Sequence, residues 1–67
     1  MKNYLPEARK RLGWSQQRLA DELGVSRQTV NALEAGRYDP SLPLAFRLAS
    51  AFGCRIEDLF TPGDEQA

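Results

Sequence analysis

Two serine-led, glycine-closed segments separated by three residues limit what this chain can fold into more than any other feature. Ser15 precedes Gln16–Leu23, and Gly24 follows it. Ser26 precedes a second segment that starts at Arg27 and runs to Glu34 or Ala35, and Gly36 follows that. A serine hydroxyl accepts a hydrogen bond from the free N–H groups of a helix's first turn, and glycine adopts the left-handed turn that ends a helix. Both starts carry a second mark. Trp14 and Leu19 flank the first cap, and Val25 and Val30 flank the second, at the spacing of a hydrophobic staple. Only Gly24, Val25 and Ser26 join the two helices, so the chain must bend sharply between them.

The second of these helices has two distinct sides. With Arg27 at zero and about 100° per residue, Val30 and Leu33 fall together on a buried side. Gln28, Asn31, Ala32 and Ala35 lie opposite, with Arg27 at the edge and Thr29 on the other flank. The Arg fork matches guanine O6 and N7, and the Gln and Asn amides match adenine N6 and N7. Here they occupy the first two turns, where a recognition helix meets bases, and the alanines leave the rest of the face bare for close approach. Any one of these residues alone would be an ordinary solvated side chain. The conjunction of two capped helices, a three-residue turn and this outward face points to DNA reading.

The net charge of zero argues against a nucleic-acid partner until its distribution is counted. Residues 1–38 hold seven basic and four acidic side chains, a surplus of +3, and residues 39–67 hold two and five, a deficit of −3. Such a dipolar molecule can turn its N-terminal half toward phosphates.

The rest of the chain reads as three more short helices, with no strand alternation and no repeat. The first spans about Tyr4–Leu12, with Asn3 as cap, Pro6 in the first turn, Leu5, Ala8 and Leu12 inward, and Gly13 as stop. The fourth follows Ser41, carries Pro43 in its first turn and ends at Gly53. A short fifth covers about Ile56–Phe60, with Arg55 where a cap is expected. The fold class expected is all-α, with five helices in one domain over residues 1–60, the paired helices at about 15–35, and a polar, frayed tail at 61–67.

Composition removes other classes. Histidine is absent and Cys54 is the single cysteine, so no intrachain disulfide and no ordinary Cys/His zinc site can form. Cys54 reads as a small apolar residue, not a redox sensor. No paired carboxylates, nucleophile–base set or phosphate-cradling glycine loop appears, so no enzyme, metal or cofactor is expected. With no apolar run of membrane length and no leader-like start, a cytoplasmic protein is expected. One small domain also leaves no room for a small-molecule effector site.

The ordered residues Gly13-Trp14-Ser15-Gln16, Leu19-Ala20, Leu23 through Val30, and Leu33-Glu34-x-Gly36-Arg37 resemble the phage lambda repressor/Cro-like helix-turn-helix family, often called the Xre family. Asp39 through Phe46, and Phe52-Gly53 with Ile56 through Phe60, resemble small stand-alone bacterial members, so the likeness spans residues 3–60. The resemblance implies a five-helix lambda-repressor-like domain and a sequence-specific transcription regulator, expected to repress. It gives Arg27, Gln28, Thr29 and Ala32 base-contacting positions, beside Asn31 from the helical wheel. It gives Gln16 and Arg37 phosphate contacts, Gln16 also bracing the recognition helix, and Ser15 and Ser26 are expected to share that role. It further implies an ion pair between Arg9 and Glu34.

Helix four carries more apolar surface than a small monomer can cover. Leu44, Ala45, Leu48 and Phe52 form one stripe, and Leu42, Phe46 and Ala49 form another. Leu42, Phe46, Ile56 and Phe60 are therefore expected at a homodimer interface that presents two recognition helices to a palindromic operator. The competing reading is an antitoxin-like interaction module whose main partner is another protein.

Overall fold

The computed structural model describes residues 2–37 and 39–61. Among them are five helices, α1 (Leu5–Arg11), α2 (Gln16–Leu23), α3 (Arg27–Glu34), α4 (Leu42–Phe52) and α5 (Ile56–Leu59), and two short strands, β1 (Lys2–Asn3) and β2 (Phe60–Thr61). The three serines each start a helix as their spacing implies. Ser15 Oγ accepts from Arg18 N at 3.0 Å, Ser26 Oγ from Thr29 N at 3.1 Å, and Ser41 Oγ from Leu44 N at 3.2 Å. Gly24 sits at φ 74°, a conformation that costs a side-chain-bearing residue about 1 kcal/mol or more. There its N–H and that of Val25 both donate to the Ala20 carbonyl, at 2.8 and 3.1 Å. The chain thus leaves α2 and enters α3 within three residues.

The core is a single cluster in which Leu5, Leu19, Leu23, Val30, Leu33 and Leu48 are fully buried. Trp14 and Val25, the residues preceding the two caps, are half-buried against it. The Trp14 ring meets Phe52 at 6.0 Å between centroids and carries the Arg18 guanidinium 4.7 Å above its face. Trp14 thereby joins the start of α2 to the end of α4.

The two strands depart from the all-helical expectation. Lys2 pairs with Thr61 and Asn3 with Phe60, antiparallel, and Tyr4 N donates to Leu59 O at 2.8 Å. A two-residue strand is too short to show alternation, so the sequence carried no sign of it. Phe60 and Thr61 therefore belong to a strand, not to helix five or a tail. Of the expected tail, residues 62–67 lie outside the described residues.

Three more side chains depart from expectation. Tyr4 is the N-cap residue of α1 and makes no side-chain cap. Asn3 does the work from one position earlier, its Oδ1 accepting from Leu5 N at 3.0 Å while its Nδ2 donates to Leu33 O at 2.9 Å. Leu12 is 46% exposed instead of inward. The helix ends before it at Arg11, and Arg9 takes the last inward place, its side chain 12% exposed. Ala49 joins Leu44, Ala45 and Leu48 in the core instead of lining an outward stripe with Leu42 and Phe46. Helix five has no side-chain cap from Arg55, whose guanidinium has no acceptor; its third residue instead satisfies the N-cap amide, Asp58 Oδ2 accepting from Arg55 N at 3.0 Å.

Candidate nucleic-acid interface

The outer face of α3 is set by what its inner face buries. Val30 and Leu33 are at most 1% exposed, which turns Arg27, Gln28, Asn31 and Ala35 to the surface and leaves Thr29 and Ala32 half-buried. Arg27, Gln28 and Asn31, with Gln17 of α2 and Arg37 beyond α3, line an open depression of about 560 Å³. Two arginine forks and three amides converge there, all able to donate to anions or base edges. Thr29 is tied back locally, its Oγ1 lying 3.0 Å from the capping Ser26 Oγ. The methyl of Ala32 offers only apolar contact.

Gln17 has no place in the sequence reading, which attends to its neighbour Gln16. It is the second residue of α2, and its Nε2 donates to Asp21 Oδ1 at 2.9 Å. Its signal was positional: with Ser15 as cap, Gln17 falls in the first turn of the helix that leads into the bend.

A part-buried network fixes α3 from behind. Arg9 of α1 meets Glu34 in a two-pronged pair, Nε to Oε2 at 2.7 Å and Nη2 to Oε1 at 3.1 Å. Gln16 Nε2 adds a third bond to Glu34 Oε1 at 3.1 Å, and Arg9 Nη1 donates to the Trp14 carbonyl at 2.9 Å. The side chains of Arg9 and Glu34 are 12% and 7% exposed. Paired planar groups hold geometry as well as charge. Glu34 thereby locks the end of α3 to α1 and to the first residue of α2.

The dimer candidates lie apart from this face, while Arg37 closes it from beyond α3. Arg37, beyond α3, folds back so that its Nη2 donates to Asn31 Oδ1 at 2.9 Å. Leu42 and Phe46 of α4 are 64% and 59% exposed, and Ile56 is half-buried. Phe60 is only 7% exposed, in contrast to its expected place at an interface: the strand turns its ring into the protein's own core. It still borders an apolar depression shared with Leu42 and Ile56. Arg47, which the pattern of α4 leaves to solvent, donates from Nη1 to the Leu23 carbonyl at 3.0 Å, closing the C-terminal end of α2. Burial raises the Cys54 thiol above its ordinary pKa, with the Asp58 carboxylate adding to the effect and Arg11 opposing it. The thiol therefore stays protonated at neutral pH. Among the described residues no group of potential metal ligands assembles, and no helix is long and apolar enough to cross a membrane.

Two short helices packed across a three-residue bend, the second presenting a polar face, define a helix-turn-helix domain. The chain belongs to the helix-turn-helix family, which matches over residues 6–59. It is 52% identical over 66 residues to an uncharacterized HTH-type transcriptional regulator of Methanocaldococcus jannaschii, covering 98% of this chain and 100% of the relative. It is 50% identical over 60 residues to another from Bacillus subtilis, covering 90% of this chain and 91% of that one. Among solved structures it is similar to the restriction-modification controller protein of Aeromonas hydrophila, with a TM-score of 0.76 and 36% identity over 84% of this chain and 85% of that one.

Proposed function

We propose that this protein is a sequence-specific DNA-binding transcriptional regulator that acts as a homodimer on a palindromic operator and represses by occupying it. The observation that carries the reading is the α3 face, on which Arg27, Gln28 and Asn31 stand exposed around one depression while Glu34 anchors the helix from behind. In this reading Arg27, Gln28 and Asn31 contact base edges, with Thr29 and Ala32 at the groove wall. Ser15, Gln16 and Ser26 meet phosphates, and the family resemblance places Arg37 with them. The names of the relatives support regulation of transcription.

Leu42 and Phe46, large, apolar and well exposed, support a two-fold contact through α4, with Ile56 beside them and Phe60 only at its border. Such a dimer would set two α3 helices about 34 Å apart, one turn of B-DNA. Selection of bound sites from a random DNA pool tests the reading. A palindrome with half-sites about one turn apart is expected. A log–log salt slope of about −5 to −7 is expected for the dimer, from roughly three or four phosphates per subunit neutralised by the lysines and arginines of residues 1–38. No enriched site, together with a second protein copurifying with the chain, would favour the antitoxin-like alternative.

A further inference from the structure

The resemblance assigns Arg37 to a phosphate, but its guanidinium is turned toward the recognition helix. Its Nη2 donates to Asn31 Oδ1 at 2.9 Å, and both residues line the depression with Arg27 and Gln28. An asparagine amide has one accepting oxygen and two donating hydrogens on nitrogen. A free amide can turn over and offer both ends at once, which is what adenine requires, its N6 donating and its N7 accepting. A guanidinium has five donors and no acceptor, so it can hold only the oxygen. Turning the amide over would set Nδ2 hydrogens against those of Arg37, so while this contact is made the nitrogen is the free end.

What Asn31 and Arg37 then present together is a surface richer in donors than in acceptors: the amide oxygen keeps one lone pair, while the amide nitrogen and the guanidinium together hold several N–H groups. In the major groove guanine offers two neighbouring acceptors, O6 and N7, while adenine and cytosine each bring a donating amino group and thymine one acceptor beside a methyl. We infer that Arg37 is a specificity-determining positioning residue: by holding the Asn31 oxygen it makes α3 select guanine, not adenine, at the base pair Asn31 meets. The inference rests on the DNA-binding reading above.

The test is site selection from a random pool with the wild-type protein, Asn31→Ala, Arg37→Ala and the double variant. Gel shifts on the four variants of the affected base pair then follow. The pair is identified as the one whose preference Asn31→Ala abolishes. Wild type should favour guanine over adenine there by about 5- to 150-fold. Arg37→Ala should erase that preference or reverse it toward adenine while leaving other positions unchanged, and the double variant should discriminate no more than Asn31→Ala. Both residues are exposed, so thermal unfolding midpoints should stay near wild type and serve as the folding control. A loss of affinity equal for all four bases, with the salt slope reduced by about 1, would make Arg37 a phosphate contact and overturn the inference. So would a wild-type preference for adenine, or no pair responding to Asn31→Ala. A pool with no enriched site for any variant overturns the DNA-binding reading itself, which separates the two failures.

Discussion

Glu34 and Phe46 each sit on a helix beside the same core, and the molecule treats them in opposite ways. The charged Glu34 is withdrawn from water, its side chain 7% exposed and its carboxylate accepting from both Arg9 and Gln16. The apolar Phe46 is left 59% exposed. At these two positions exposure follows the supply of partners, not hydrophobicity. Around α1–α3 polar groups are matched with one another, so the inner side of α3 is held while its outer face stays in solvent. Around α4 the core is already filled by Leu44, Ala45, Leu48 and Ala49, and the surplus is turned out. One half of the molecule pairs its polar groups internally, and the other leaves Leu42 and Phe46 in solvent.

That contrast can be broken experimentally, and the largest effect is expected at Glu34. Glu34→Ala leaves the Arg9 guanidinium largely buried without its counter-charge and should destabilise the fold by about 3 kcal/mol. A chemical denaturation midpoint equal to wild type would reduce the pair to a surface contact. Next comes Gln28→Ala, which should weaken specific binding by about 1–3 kcal/mol and relax preference at one or two base pairs, without lowering stability. Gel shifts on operator variants measure it, and an unchanged pattern would remove Gln28 from the reading face. Ser26→Ala removes the oxygen that accepts from Thr29 N and should cost about 1 kcal/mol of stability by urea unfolding. The smallest change in stability, within about 0.5 kcal/mol, is expected for Phe46→Glu, because Phe46 contributes little to its own core. Its effect should appear in assembly: by sedimentation at tens of micromolar the variant should be monomeric where wild type is dimeric. A wild type that sediments as a monomer, free and on DNA, would mean that α4 is complete without a partner.

Features set by neighbours in the chain were legible in the sequence. The serine caps, the Gly24 bend and the buried side of α3 depend on spacings of one to four residues, and they stand where those spacings put them. The Arg9–Glu34 contact came only through family resemblance, because nothing local brings residues 9 and 34 together. What stayed hidden depends on distant backbone. Asn3 reaches the Leu33 carbonyl, Arg47 reaches the Leu23 carbonyl, and Phe60 enters the core through a strand rather than a helix. A carbonyl at a helix end attracts any nearby donor, but residue identity does not say which donor the fold will bring close. The turning back of Arg37 onto Asn31 and the position of Gln17 at the α3 depression escaped the sequence for the same reason.

The pairing of Asn3 with Phe60 closes nearly the whole chain into a ring. Contacts so far apart along a chain carry the greatest loop-closure entropy and are gained late in folding. With two residues on each side, this clasp should open more readily than the helices it encloses. Opening is not confined to the ends of the chain, because the same Asn3 side chain holds the Leu33 carbonyl near the end of α3. The far end of α3 is thus fastened to what should be the least durable joint of the ring. In hydrogen exchange the Tyr4 amide, bonded to Leu59 O, should lose protection before the amides of α2, and occupancy of the α3 face should slow it.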